Sequence, residues 1–126
     1  MTHTFTLKVY IEDTDLGGIV YHANYLRFVE RARSEWVAEL GVDQNELRAR
    51  EGIGFVVRRI EADYLAPARF GDVLTVETVV AARGNSRLEL DQIVRRGDVT
   101  VFAARVVVVA VGATGRPVRL PAVFRR

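Results

Sequence analysis

The chain has 126 residues, the length of one domain, and its 49% hydrophobic and 27% charged content is that of an ordinary globular protein, which excludes disorder and fibrous repeats. It contains no cysteine, so disulfides, cysteine nucleophiles and thiolate metal sites are excluded. The 18 basic residues barely outnumber the 16 acids, Lys8 is the sole lysine, and the arginines are scattered rather than gathered into the stripe that nucleic acid demands.

Taken in chain order, Phe5, Leu7, Val9 and Ile11 alternate with polar residues, which predicts a half-buried strand that ends at the acids Glu12 and Asp13. A loop with Gly17 and Gly18 follows. Leu26, Val29, Ala32 or Arg33, Trp36, Val37 and Leu40 then recur at spacings of three and four, predicting one long helix with Asn24 as N-cap and Gly41 as its stop. "QNELRARE" from Gln44 reads as a short helix or helical turn. Four strand-like runs complete the chain, and Gly84-Asn85 and Gly97-Asp98 mark tight turns that join neighbouring strands antiparallel. The longest apolar run, Val106 to Val111, is strand-sized and far short of the roughly 18 residues of a membrane span. It is apolar on both faces, so it asks for cover from the helix on one side and from elsewhere on the other, a partner subunit being one candidate. The expected fold is α+β, a single domain over 1–126 in which an antiparallel sheet of about five strands packs on one long helix, with a sheet face or edge left to dimerise. No membrane span and a cytoplasmic location are expected.

The stretch "EDTDLGGIVYHANY", Glu12 to Tyr25, concentrates the chemistry. Asp15 follows the first strand, glycines let the chain turn and expose backbone N–H groups, and a helix start offers more such donors with a positive dipole end. An ionised carboxylate beside an oxyanion site is what acyl transfer needs. A lone aspartate, with an ordinary pKa of about 3.9, is a weak base and poorly matched to an amide, whose leaving amine must be protonated. A thiol, with a pKa near 8.5, departs as thiolate with little help, so a thioester suits the site better. The rivals lack their residues. There is no G-x-S-x-G elbow, no H-E-x-x-H or EF-hand spacing and no P-loop or dinucleotide fingerprint, so neither metal nor nucleotide cofactor is expected.

The segment "VYIEDTDLGGIVYHANYLRFVERAR", with the later "FVVRRIEADYLAPARFGD" and "RGNS", resembles the hotdog-fold 4-hydroxybenzoyl-CoA thioesterase family. Within it, the likeness is to the acyl-CoA thioesterases associated with the Tol-Pal cell-envelope system. The resemblance implies a hotdog fold, a homodimer or homotetramer with active sites at the dimer interface, and hydrolysis of acyl-CoA or acyl carrier protein thioesters. Coenzyme A is then part of the substrate, and no separate cofactor is used. Asp15 takes the place of the catalytic aspartate, as nucleophile or as general base. His22 takes the place of the oxyanion-donating N–H, flanked by Tyr21 and Asn24. Val57 and Arg58 would line the acyl pocket from the neighbouring subunit, and Arg83, Asn85 and Ser86 would meet coenzyme A. Some relatives carry a basic run at that turn, whereas Gly84 and Asn85 leave Arg83 nearly alone here, with Arg87 or Arg58 as substitutes.

Plainer roles stand beside these. Asp13 reads as a turn acid, Glu30 as a structural glutamate paired with Arg27, Arg31 or Arg33, and Tyr64 and Trp36 as core or interface residues. Whether His22 acts through its imidazole or only its backbone stays open at this level. The alternative function is a non-catalytic acyl-CoA or acyl-carrier-protein binder, or an envelope-linked scaffold of the same fold.

Overall fold

The computed structural model describes residues 2–125. Strand β1 (Thr2–Lys8) leads through a one-turn 3-10 segment (Ile11–Asp13) and a loop into helix α1 (Asn24–Glu39). Helix α2 (Gln44–Glu51) follows, then strands β2 (Gly54–Tyr64), β3 (Val73–Arg83), β4 (Arg87–Arg96) and β5 (Val99–Val111), and a second 3-10 turn (Ala122–Arg125). The five strands form one antiparallel sheet in the order β1-β3-β4-β5-β2. Strands β3, β4 and β5 are a meander, turning at Gly84-Asn85-Ser86 and at Gly97-Asp98, where Gly97 takes a φ of 58°. Strands β1 and β2 are therefore the two edges. Among the described residues no helix is long and apolar enough to cross a membrane.

The edges differ in how they are guarded. β1 alternates exposed and half-buried residues, and its Thr4, Thr6 and Lys8 keep that rim polar. β2 instead exposes Val56 at 46% and Val57 at 45%, side by side on an open strand. It also carries a bulge, because Val57 pairs with Val108 and Arg59 with Val107, leaving Arg58 as the surplus residue.

The alternation of the first strand continues in sequence to Ile11, yet β1 stops at Lys8. Asp13 is the cause: its Oδ2 accepts the Tyr10 N–H at 2.8 Å, and this side-chain bond folds the backbone into a turn where a ladder bond would have extended it. The helix start also differs from the expectation. Ala23, not Asn24, occupies the N-cap position, and no side chain caps it. The buried face of α1 runs through Tyr25, Phe28, Val29, Ala32 and Val37, so Leu26 and Leu40, expected inside, are exposed. The phase is set by aromatic packing, with Tyr25 stacked on Phe102 of β5 at 5.0 Å between ring centroids and edge-on to Phe28 at 5.8 Å. At its far end α1 stops as expected at Gly41, whose φ of 88° only glycine adopts without strain. α2 is capped by the Asp43 carboxylate, which accepts from Asn45 and Glu46 N–H.

Beneath the helix, Gln92 of β4 is wholly buried and fully used. Its Nε2 donates to Val29 O at 2.9 Å and to Thr78 Oγ1 at 3.0 Å, while its Oε1 accepts from Arg33 Nη1 at 2.9 Å. This joins sheet to helix between two apolar clusters, one under the first half of α1 and one under its last turns around Val37, Leu90, Leu120 and Phe124. The apolar run of β5 is buried on both faces, but its outer side needs no second subunit. Val107 lies among Arg58, Arg59, Arg87 and Arg105, whose aliphatic stems cover it while their charges stay in water.

Candidate active site

The residues from Asp13 to Tyr21 fold into a miniature ribbon. Tyr21 N–H donates to Asp13 O at 2.9 Å, Thr14 and Val20 form a bridge, and Asp15 N–H donates to Ile19 O at 3.1 Å. Leu16, Gly17 and Gly18 make the tip, where Gly18 takes a φ of 78°. The ribbon is held from below by Val20 N–H on Ala68 O and a bridge from Ile19 to Arg69.

Asp15 stands exposed on this ribbon. Its Oδ1 accepts the Gly17 N–H at 2.8 Å, which fixes the carboxylate's orientation, and Oδ2 is left for chemistry. A Cβ on Gly17 would come within 3.1 Å of that Oδ1, so the closeness of backbone and carboxylate depends on glycine there. Ladder spacing puts Asp15 diagonally across from Tyr21 at roughly 7 to 8 Å between Cα atoms, and His22 is the next residue.

The helix start is open. Tyr21 N–H is taken by Asp13 and Asn24 N–H by Tyr21 O at 2.8 Å, but among the described residues the N–H groups of His22 and Ala23 find no protein acceptor. Unsatisfied donors at a helix N-terminus, with the dipole behind them, form an anion site. The second carboxylate, Asp13, does different work: it is buried, and its Oδ1 accepts from Asn24 Nδ2 at 2.6 Å while Oδ2 holds Tyr10 N–H. Asn24, expected to cap the helix and flank the pocket, is therefore buried against Asp13, locking the first helical residue to the turn.

His22 and Tyr21 are exposed, with ring centroids 4.7 Å apart, and the imidazole also meets Tyr64 edge-on at 6.0 Å. Tyr64 lies at the end of the open strand β2 and packs on Tyr25 and Phe102 as well. Sequence reasoning placed it in the core or an interface. Its only distinguishing signal was a tyrosine near the end of an amphipathic strand. Burial pushes the Tyr25 phenol above its ordinary 10.0, the Ala68 backbone opposing the shift.

One chain does not bring all the expected residues together. Val57 lines a cavity of about 150 Å³ between α1 and the Gly54 end of β2, whereas Tyr64 and His22 lie at the other end of that strand. Arg58, at the bulge, joins Arg59, Arg87 and Arg105 on the outer face. Arg83 ends β3 and Asn85 and Ser86 lie just beyond it, whereas the Asp15 ribbon is held at Ala68 and Arg69, ahead of the strand's start; eleven residues of strand separate the two by about 35 Å. Arg83 Nε donates to Phe124 O at 3.1 Å, and Asn85 O accepts from Leu120 N–H, so this hairpin is fastened to the C-terminal segment. Glu30, expected to be ion-paired, is exposed and has no ion pair among the described residues. Arg33 is turned inward onto Gln92, and burial lowers its pKa, with Glu30 opposing that shift only through space.

The comparisons with known proteins bear on the chain as a whole. The family model of the thioesterase-like superfamily covers residues 9–126. This chain belongs to that family. The acyl-CoA thioester hydrolase YbgC of Escherichia coli O6:H1 is 42% identical over 106 residues, covering 83% of this chain and 78% of that protein. The acyl-CoA thioesterase YbgC of Haemophilus influenzae is 38% identical over 119 residues, covering 94% of this chain and 88% of that one. Among solved structures, a probable thioesterase from Bartonella henselae superposes with a TM-score of 0.92 at 35% identity, over 96% of this chain and 100% of that one. The expected hotdog arrangement of sheet and helix is thus the observed one.

Proposed function

We propose that this member of the thioesterase-like superfamily hydrolyses acyl-CoA thioesters to free acid and thiol, with Asp15 and the helix start at His22 as its working parts. One observation carries the reading: Asp15 is held by Gly17 N–H with an oxygen to spare, on a ribbon that ends at donors without acceptors. The names of the relatives above, both acyl-CoA thioesterases, support it.

In the proposed reaction the thioester carbonyl lies between the two. Oδ2 of Asp15 either adds to the carbonyl carbon or removes a proton from a water that does so, and the carbonyl oxygen, now negative, is met by His22 N–H. Collapse breaks the C–S bond, and coenzyme A leaves as thiolate. In the nucleophilic route a mixed anhydride remains on Asp15, and water then cleaves it to the acid. The imidazole of His22 is not needed for the oxyanion contact, which its backbone makes.

The acyl pocket is proposed to be shared. Two β2 edges aligned antiparallel would pair the open backbone of one with the other and cover Val56 and Val57 of both chains. Such pairing also brings the Val57 end of one β2 beside the Tyr64 and His22 end of the other, which unites residues that a single chain holds apart. The same reading takes the protein as a cytoplasmic homo-oligomer. A link to the Tol-Pal system, and acyl carrier protein as an alternative donor, rest on the sequence resemblance alone.

The test is thiol release from short, long and aromatic acyl-CoAs by wild type and Asp15→Asn. The variant is expected to fold normally and to lose turnover by a factor of 100 or more, about 3 kcal/mol of barrier. Near-normal turnover would sink the assignment. A single turnover in ¹⁸O-water separates the routes, since only the anhydride route leaves label in the Asp15 carboxylate.

A further inference from the structure

Two cavities flank a partition at the far end of α1. The smaller, about 150 Å³, opens between α1 and β2 and has Val57 in its wall. The larger, about 460 Å³, opens between β1, the last turn of α1 and β3, with Thr2, Glu39 and Val80 in its wall. Trp36, Leu88 and Phe124 line both.

Phe124 is the centre of this partition. It is 3% exposed, it comes from the C-terminal 3-10 turn, and its ring stands edge-on to Trp36 at 5.8 Å and to Phe55 at 5.3 Å. The turn is pinned by Arg83 Nε on Phe124 O and by Leu120 N–H on Asn85 O at 2.7 Å. A core aromatic is ordinarily packed on every side, because interiors hold few voids larger than a water. A buried ring with empty volume on two sides is a wall.

We propose that Phe124, seated on Trp36 and Leu88, is the blind end of the acyl pocket, so that the C-terminal turn sets the length of acyl group this protein accepts. This rests on the thioesterase reading for the identity of the ligand and on the proposed pairing of β2 edges for the cavity's place beside the reacting carboxylate. A cavity of about 150 Å³, apolar around Phe124 but with Glu30, Arg33, Ser34 and Gln44 also in its wall, takes one benzene-sized group, so the favoured acyl groups have up to about six carbons or a single ring. Removing the ring joins the second cavity to the first, and a long chain can then run past Trp36 towards the rim between β1 and α1.

The inference is tested by binding as well as turnover, using uncleavable S-alkyl thioethers of coenzyme A with four and twelve carbons. For Phe124→Ala the affinity for the twelve-carbon ligand, relative to the four-carbon one, is expected to rise about tenfold or more over wild type. Phe124→Val gives the same reading if the alanine variant does not fold. Val80→Phe, which puts a ring into the larger cavity, should leave the wild-type ratio unchanged and reduce the gain when combined with Phe124→Ala. An unchanged ratio in folded Phe124 variants overturns the inference, even if wild type cleaves short acyl-CoAs and the hydrolase reading survives. A shifted ratio in a protein that cleaves no acyl-CoA supports the length limit and overturns the hydrolase reading.

Discussion

The two ends of α1 are built on opposite plans. At its start the side-chain polarity is spent elsewhere than on the helix's own first donors: Asp13 holds the Tyr10 N–H and the Asn24 side-chain amide, no side chain caps the helix, and His22 N–H stays open. At its end Gly41 and Val42 N–H turn back onto Ala38 O and Val37 O, and Trp36, Leu120 and Phe124 close the space beneath. One end leaves His22 and Ala23 N–H without acceptors among the described residues, and the other folds its last N–H groups back onto the helix. The difference shows how a small fold keeps a reactive terminus open: the rigidity that a cap would have supplied comes instead from a buried carboxylate eleven residues upstream.

Asp13→Asn probes that rigidity most severely. An amide can accept from Asn24 or from Tyr10 N–H but not serve both, so a buried donor is left facing a donor, at about 1 to 3 kcal/mol. Lower stability in chemical denaturation, together with reduced turnover, is the expected result; unchanged stability would show that the clamp does not hold the helix start. Gly17→Ala sharpens the comparison without touching the clamp. The new Cβ presses on Asp15 Oδ1, and displacement of the carboxylate by a few tenths of an ångström should lower kcat by roughly threefold to tenfold with the melting temperature nearly constant. A kcat equal to wild type would mean that the carboxylate adjusts freely. The smallest effect is at Tyr25. Its folded-state pKa is raised above 10.0, so the folded protein holds the phenolic proton more tightly than the unfolded chain, and stability falls as pH rises above about 10. Tyr25→Phe should flatten that alkaline decline, and a stability–pH curve with the same slope as wild type would contradict it.

Much of this was legible in the sequence because it rests on local periodicity. The alternating runs of β3, β4 and β5, the glycines at Gly84 and Gly97, and the Gly41 stop each state their structure within a few residues. The failures came where a distant partner decided the outcome. Leu26 looked like a core residue by spacing, but Tyr25 had a ring to stack on in β5, and that rotated the helix by one position. Asn24 looked like a cap because asparagine usually caps, yet Asp13 offered its side chain a charged acceptor eleven residues away. Glu30 had three arginines near it in sequence, but Arg33 was drawn inward by Gln92, which lies 59 residues further on. The placing of Asp15 on an exposed glycine turn ahead of α1 was legible from its glycines and the helix that follows. The open N–H beside it was not, because an absent cap leaves no residue to read.

The surplus residue in β2 has a meaning for how such a chain can change. Before the bulge Phe55 and Val57 pair with Ala110 and Val108, and after it Ile60 and Ala62 pair with Val106 and Ala104, so odd and even positions of a single strand both reach the helix side. The strand is thus two reading frames joined at Arg58. A substitution there alters one side chain, whereas loss of that codon would remove the bulge and let β2 pair with β5 as one regular ladder, the inner and outer positions on both sides of it staying as they are. Variation in length at this position is a step that point mutation cannot imitate, and it would move the wall of the smaller cavity while leaving the aromatic end of the strand in place.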